Sequence, residues 1–430
     1  MTDELEKRQK GGSVMNQFEM IVVGLLLILV FGMFVIGKWI MVIMINSRLI
    51  NRKIEQHNLI DLELRFFRFL HFNGEKEEGS KYYLGKIIKT FRDSKSDSMD
   101  KEELVDARGG WTPGKLEYKP LFAFPPKPIE LLKWLFNYPD GFIFPWAAIH
   151  FSIAFLCYYF LIPSFEILST FSLSWISIIF IKNFVVLFIY TGLWHLHLHT
   201  NNSQGDKFRY NLRPLGKGKQ WFFGTQTREN MFFSLFSAVP IWSAYESLML
   251  WCFANDYMLF PIKDWLASPY IAIYCVLLFI FIPIIQHVHF YLIHRLIHWK
   301  PLYDHIHSFH HKNVNVGPWS GLSMHPVEHL LYLSTILVHF FIPSTPLHFV
   351  YQGLHTCLGA QKGHTGYERL VVDPKTGKSI PSAGYFHYLH HKYFECNYGE
   401  LTSPLDKWFG SFHDGTKKTH EKLFKSNKTA

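Results

Sequence analysis

Histidine is the side chain whose spacing in this chain could do chemistry. HRLIH places His294 and His298 four apart, HSFHH places His307, His310 and His311 at i, i+3 and i+4, and HYLHH repeats that spacing as His387, His390 and His391. On a helix, residues three and four apart share a face, so each box can direct several imidazoles at one point. Neutral imidazole is the commonest protein ligand for a transition metal. Eight such residues exceed the four ligands of a tetrahedral zinc. They suit two ions with positions left open for oxygen or water, and imidazole suits iron. A lone HxxxH in a chain with 25 histidines is ordinarily chance, but two copies of HxxHH beside it, among oily segments, are not.

Two irons held close together can bind and split dioxygen, and the resulting oxidant can take hydrogen from an unactivated C–H bond. No ordinary side chain has that power, so the protein's part is geometry, outer hydrogen bonds and exclusion of water. Other metal readings fit less well. HRLIH lacks the glutamate that HExxH supplies as general base in a zinc protease. A metal transporter would carry its histidines mid-span on facing helices, whereas these cluster at span ends. A bis-histidine haem would leave six of them unexplained, and a catalytically inactive scaffold would have no need to keep every box complete.

The elements that must position the boxes are membrane helices. Of 430 residues 49% are hydrophobic and 17% aromatic, with 41 Phe, too oily for a soluble protein. The net charge of +9 does not mark a nucleic-acid binder, because the basic residues sit in loops between apolar runs, as on the cytosolic side of a membrane protein. The five cysteines show no CxxC and read as packing residues. In order, the expected parts are a disordered leader (1–19), an uncleaved N-terminal membrane anchor (20–46), a cytosolic linker with interfacial helices (47–140), transmembrane helices (141–293), a histidine-box catalytic region (294–415) and a basic tail (416–430). Spans are expected at 20–45, 142–162, about 165–194, 231–253 and 269–293. Apolar residues 330–351, broken by Pro343 and Pro346, are expected to form a re-entrant hairpin lining a lipid pocket. The fold class is thus an all-α integral membrane protein with four to five spans, the hairpin, and a helical cap carrying the histidines on the cytosolic side.

HRLIH, HSFHH and HYLHH, in this order around a hydrophobic hairpin, resemble the fatty acid hydroxylase/sterol desaturase superfamily over about residues 220 to 415. QTREN before the fourth span, SMHPVEHLLY after the second box, and KYFECNYGELTSPLDKWFGS after the third resemble further segments of that family. The resemblance implies a di-iron site held by the eight box histidines. It also implies His364 in GHTGYE and His325 in the His-Pro segment as further ligands. Zinc is the ion a purified sample could carry instead. The resemblance further implies O2 as co-substrate, electrons from NAD(P)H through cytochrome b5 and its reductase or an equivalent, and residence in the endoplasmic reticulum. The expected activity is desaturation or hydroxylation of a sterol, with a fatty acyl or sphingolipid hydroxylase as the alternative. His195, His197 and His199 alternate along their helix and are not expected to converge.

Overall fold

The computed structural model describes residues 105–106 and 109–424. The expected leader, the N-terminal anchor and most of the 47–140 linker lie outside the described residues, as does the end of the basic tail. What is described is mostly helical. Pro128 opens α1 (Pro128–Phe136), which buries none of its residues. A wide turn at Ile143–Ala147 then leads into α2 (Ala148–Leu161).

Among the described residues three helices are long and apolar enough to cross a membrane: Ile143–Leu161, Leu173–Thr200 and Pro269–Ile297. The second contains α3 (Leu173–His195) and starts later than expected, because Phe165–Leu168 is a separate one-turn helix and the Ser172 side chain caps Leu173 onward. The expected span at 231–253 falls in α4 (Gln226–Phe233) and α5 (Val239–Ala254), joined through a wide turn. It is not among the three, because Ser234, Ser243, Glu246 and Ser247 dilute its apolar character. All four are buried against neighbouring helices. Glu246 pairs with Lys182 of α3 and accepts from Asn183 Nδ2 at 3.0 Å. The third, α6 (Pro269–Ile297), runs one turn past the expected end, so His294 lies within it and His298 caps it.

After the second box, which ends in α7 (Ser308–His311), the apolar stretch forms α8 (Pro326–Leu333), a 3-10 turn at Ser334–Phe340, and α9 (Pro346–Gly363). The prolines do break the chain, but the second piece is an 18-residue helix that runs well beyond residue 351, where the expected hairpin ends. It packs on α2, α3, α5 and α6, and buries Phe349, Val350, Leu354 and Leu358 in the main apolar core. Such a helix, covered on nearly every side, is a central post; its end presents His364.

An antiparallel hairpin, β1 (Arg369–Asp373) and β2 (Lys378–Pro381), departs from the all-helical expectation. Its DPKTG turn between β-branched flanks is the usual signal for one. The chain then forms α10 (Tyr385–Tyr393), which carries the third box, and the short α11 (Leu405–Trp408) and α12 (Lys417–Phe424).

Candidate metal centre

Nine histidines meet in two groups. His294, His298, His307, His311 and His390 form one, and His310, His364, His387 and His391 the other; within each group the ligand atoms lie within 4.8 Å of one another. All but half-buried His298 are buried. The HxxHH boxes do not each serve one point. The second box sends His307 and His311 to the five-membered group and His310 to the other. The third box does the reverse, sending His387 and His391 to the four-membered group and His390 across. The pattern follows from helical geometry, since i and i+4 overlie one another while i+3 sits to the side. A wide turn at Tyr303–His307 feeds the second box and sets its angle.

Outer hydrogen bonds fix which nitrogen faces inward. Nδ1 of His294 donates to the Tyr398 carbonyl at 2.6 Å, that of His310 to Ser323 at 3.2 Å, that of His364 to Ala360 at 2.7 Å, and that of His390 to Cys396 at 2.6 Å. His307 Nδ1 stands 2.8 Å from the Glu328 carboxylate. In a neutral ring each Nε2 is then a bare lone pair. The Nε2 atoms stand close together, His294 to His307 at 3.0 Å, His390 to His311 at 3.0 Å, His364 to His391 at 3.0 Å, and His387 to His364 at 3.1 Å. The buried Nδ1 atoms of His311, His387 and His391 have no partner to fix which nitrogen carries the proton. Outside the spans, burial holds the imidazoles below their ordinary pKa, and for His307, His311, His387, His390 and His391 neighbouring rings add to it. His298 and His364 are lowered to about 3 and His310 to about 4, again chiefly by burial.

Convergent acceptors with no proton between them repel, and a cation is what turns that arrangement favourable. Ligands about 2.1 Å from a metal at tetrahedral angles would stand about 3.4 Å apart. Neighbouring ring nitrogens at 3.0–3.2 Å are near enough to share one ion. Glu328 Oε2 is buried without a hydrogen-bond partner, a costly placement that a nearby positive charge relieves. The donor set therefore fits two metal ions.

Residues outside the boxes set the rings. Asp406 accepts from the Tyr398 and Gly399 amides, both at 2.8 Å, and so holds the loop whose carbonyl meets His294. Phe394 adopts a left-handed backbone (φ 66°), rare for a bulky residue, which reverses the chain after α10 and returns Cys396 to His390. The QTREN segment acts through Asn313: Gln226 and Asn230 donate to its Oδ1 at 2.9 and 2.7 Å, and Asn313 donates to the His310 carbonyl at 3.2 Å.

Of the ten residues expected as ligands, nine are brought together and His325 is not. It caps α8, its Nδ1 accepting from Val327 N at 3.2 Å, because Pro326 at the first helical position leaves the preceding side chain to turn back on the backbone. Its neighbour three residues on, Glu328, touches His307 instead and was missed; HPVEH held the signal, an acid one turn into a helix beside the second box. Asp304 pairs with Lys300 on the surface, away from the groups. His199 bonds the Thr365 carbonyl and stacks on His195, and neither joins them.

A cavity of about 310 Å³ reaches both groups, with His294, His307, His310, His364 and His387 on its wall. Phe290, Met324 and Tyr332 give it an apolar side.

A family model described as fatty acid hydroxylase matches residues 279–411. The chain is 35% identical over 140 residues to a Delta(7)-sterol 5(6)-desaturase of Eremothecium gossypii, covering 32% of this chain and 36% of that one. It is 31% identical over 122 residues to the Delta(7)-sterol 5(6)-desaturase ERG3B of Gibberella zeae, covering 28% and 37%. It is 32% identical over 148 residues to a putative Delta(7)-sterol-C5(6)-desaturase of Arabidopsis thaliana, covering 33% and 47%. These matches span less than half the length of each relative. No solved structure matches the chain. The resemblance to the fatty acid hydroxylase/sterol desaturase superfamily is borne out for the region that holds the histidines.

Proposed function

From a fatty acid hydroxylase segment over residues 279–411 we propose that this chain is a membrane-bound lipid oxidoreductase that uses O2 to desaturate a sterol, with hydroxylation by the same site as the variant outcome. One observation carries the reading: imidazole lone pairs from separate parts of the chain converge at 3.0–3.2 Å in two groups. His294, His298, His307, His311 and His390 would hold one iron, and His310, His364, His387 and His391 the other. Bound there, the pair would supply the O2 activation needed to break an unactivated C–H bond. The chain's own groups do the rest. Carbonyls and Glu328 keep Nδ1 protonated so that Nε2 faces the ions. The apolar wall of Phe290, Met324 and Tyr332 keeps water from the oxidising end.

Desaturation removes two hydrogen atoms from adjacent carbons while O2 is reduced to two waters, so two further electrons and two protons must arrive from a donor. We assign that role to NAD(P)H through a cytochrome b5-type carrier and its reductase. The remaining parts of the reading are an N-terminal anchor, a fourth span through α5, membrane insertion of the 330–351 hairpin, and a site on the cytosolic face of the endoplasmic reticulum. The sterol is favoured over an acyl or sphingolipid chain by the names of the relatives.

Lipid profiling of cells with and without the gene tests it. A sterol lacking one ring double bond is expected to accumulate without the gene, and iron to co-purify with the protein. An unchanged sterol profile would overturn the substrate assignment.

A further inference from the structure

The same cavity has a second polar end that the metal chemistry does not use. Besides the histidines of the two groups, its wall carries Glu400, Lys362, His355 and His287. Two of these are held by protein partners. His287 Nδ1 lies 2.5 Å from Thr402 Oγ1, and His355 Nδ1 lies 3.1 Å from His150 Nδ1, whose other nitrogen meets Tyr190 at 3.1 Å. The other two are underused. Lys362 Nζ donates one bond, to the Ser382 carbonyl at 2.6 Å, leaving two N–H groups. Among the described residues no hydrogen bond reaches the Glu400 carboxylate, which lies on the cavity wall.

Glu400 and Lys362 feel each other's charge, yet they are not in ion-pair contact. Opposite charges buried apart are expensive, and a group that bridges them recovers the lost interaction. A hydroxyl can do so, because it accepts from an ammonium while donating to a carboxylate. Burial also lifts the Glu400 carboxyl to about 6, against the pull of Lys362.

We propose that Glu400 and Lys362, flanked by His355 and His287, form a hydroxyl-binding subsite that fixes the polar end of the lipid substrate beside the histidine groups. Because subsite and metal-binding wall share one cavity of about 310 Å³, the length of that cavity limits how far the carbons presented for oxidation can lie from that hydroxyl. A ring-hydroxylated sterol desaturated near its hydroxyl-bearing carbon meets this condition; a long acyl chain oxidised near its far end does not. The inference rests on the oxidoreductase reading for the reaction but not for the binding.

The test uses the full chain in microsomes with two probes, a Δ7-sterol with a free 3-hydroxyl and the 3-O-methyl ether of the same sterol. The wild type is expected to turn over the ether with kcat/KM at least about tenfold lower, since the ether oxygen cannot donate to Glu400. Glu400→Leu is expected to raise KM for the free sterol at least about tenfold while kcat and bound iron stay within about twofold, and to erase the preference between probes. Glu400→Gln, which keeps an acceptor oxygen, is expected to restore most of it. Equal use of both probes by the wild type, or full preference in Glu400→Leu, would overturn the subsite. The wild-type comparison decides even if the variants misfold. Should the wild type turn over neither sterol, the reaction assignment fails, and quenching of tryptophan fluorescence by hexadecan-1-ol against its methyl ether decides the subsite instead. Tighter binding of the alcohol upholds it; equal binding overturns it.

Discussion

The two histidine groups are built from the same repeated motif and are not equivalent. The five-membered group draws on α6, the second box and one residue of α10; a carboxylate, Glu328, backs one of its rings. The four-membered group draws on α10, the end of α9 and one residue of the second box, and only backbone carbonyls back its rings. Two of its members, His387 and His391, have buried Nδ1 atoms without partners, against His311 alone in the first group. A symmetric sequence pattern has therefore produced one centre crowded with ligands and anchored by charge, and one with fewer ligands and looser backing. Affinity should follow that asymmetry, because outer partners raise ligand basicity and fix ring orientation.

The crossing histidines offer the sharpest way to break this comparison. His390→Ala and His310→Ala each remove the residue that a box lends to the opposite group, and each is expected to abolish sterol turnover. Metal analysis of the purified variants should find close to one ion lost in each. Full metal and activity in either would show that the crossing has no role. Glu328→Gln is the next largest effect. It is expected to weaken metal binding at the five-membered group by about 10- to 100-fold, measured by competition with a chelator, while the second ion is retained. Equal loss of both ions would erase the distinction drawn between the groups.

Acid should reach both groups together. In the unfolded chain imidazole takes its proton near 6.5, whereas in the folded protein burial lowers that value to about 4 at His310 and about 3 at His364 and His298. The unfolded state thus binds more protons below pH 6.5, and the metal-free protein should lose stability progressively as pH falls from about 6.5 towards 4. A thermal midpoint that stays flat across that window would contradict the buried, neutral state of the rings. The smallest effect is expected from His325→Ala. Losing a helix cap costs about 1 kcal/mol or less, and metal content should not change.

How far the site could be read from sequence depends on how local each feature is. The boxes were legible because ligand type and i, i+3, i+4 spacing are properties of a few adjacent residues. The sorting of His310 and His390 to opposite groups was not, since it depends on how α7 and α10 face each other across the chain. His325 looked like a ligand by its place in a familiar segment, and Pro326 made it a cap instead. Glu328 had only a local signal in HPVEH, and its contact with His307 depends on how α8 packs against the second box. Among the helices, α6 announced itself by an unbroken apolar run, whereas α5 hides a polar face that only packing explains. α9 looked like half of a hairpin because its apolar residues are mixed with Gln352, Thr356 and Gln361; all three are buried.

The pairing of Lys182 with Glu246 has a consequence for assembly. Either charge buried without the other carries a penalty of about 3–5 kcal/mol, and the two offset each other only when their helices present them face to face. Slipping α5 by a single residue would swing Glu246 through about 100° and part the two charges. The pair thus acts as a rotational key. With α3 and α5 held in a single azimuth, the neighbouring α4 is set so that Gln226 and Asn230 reach Asn313 beside the second histidine box.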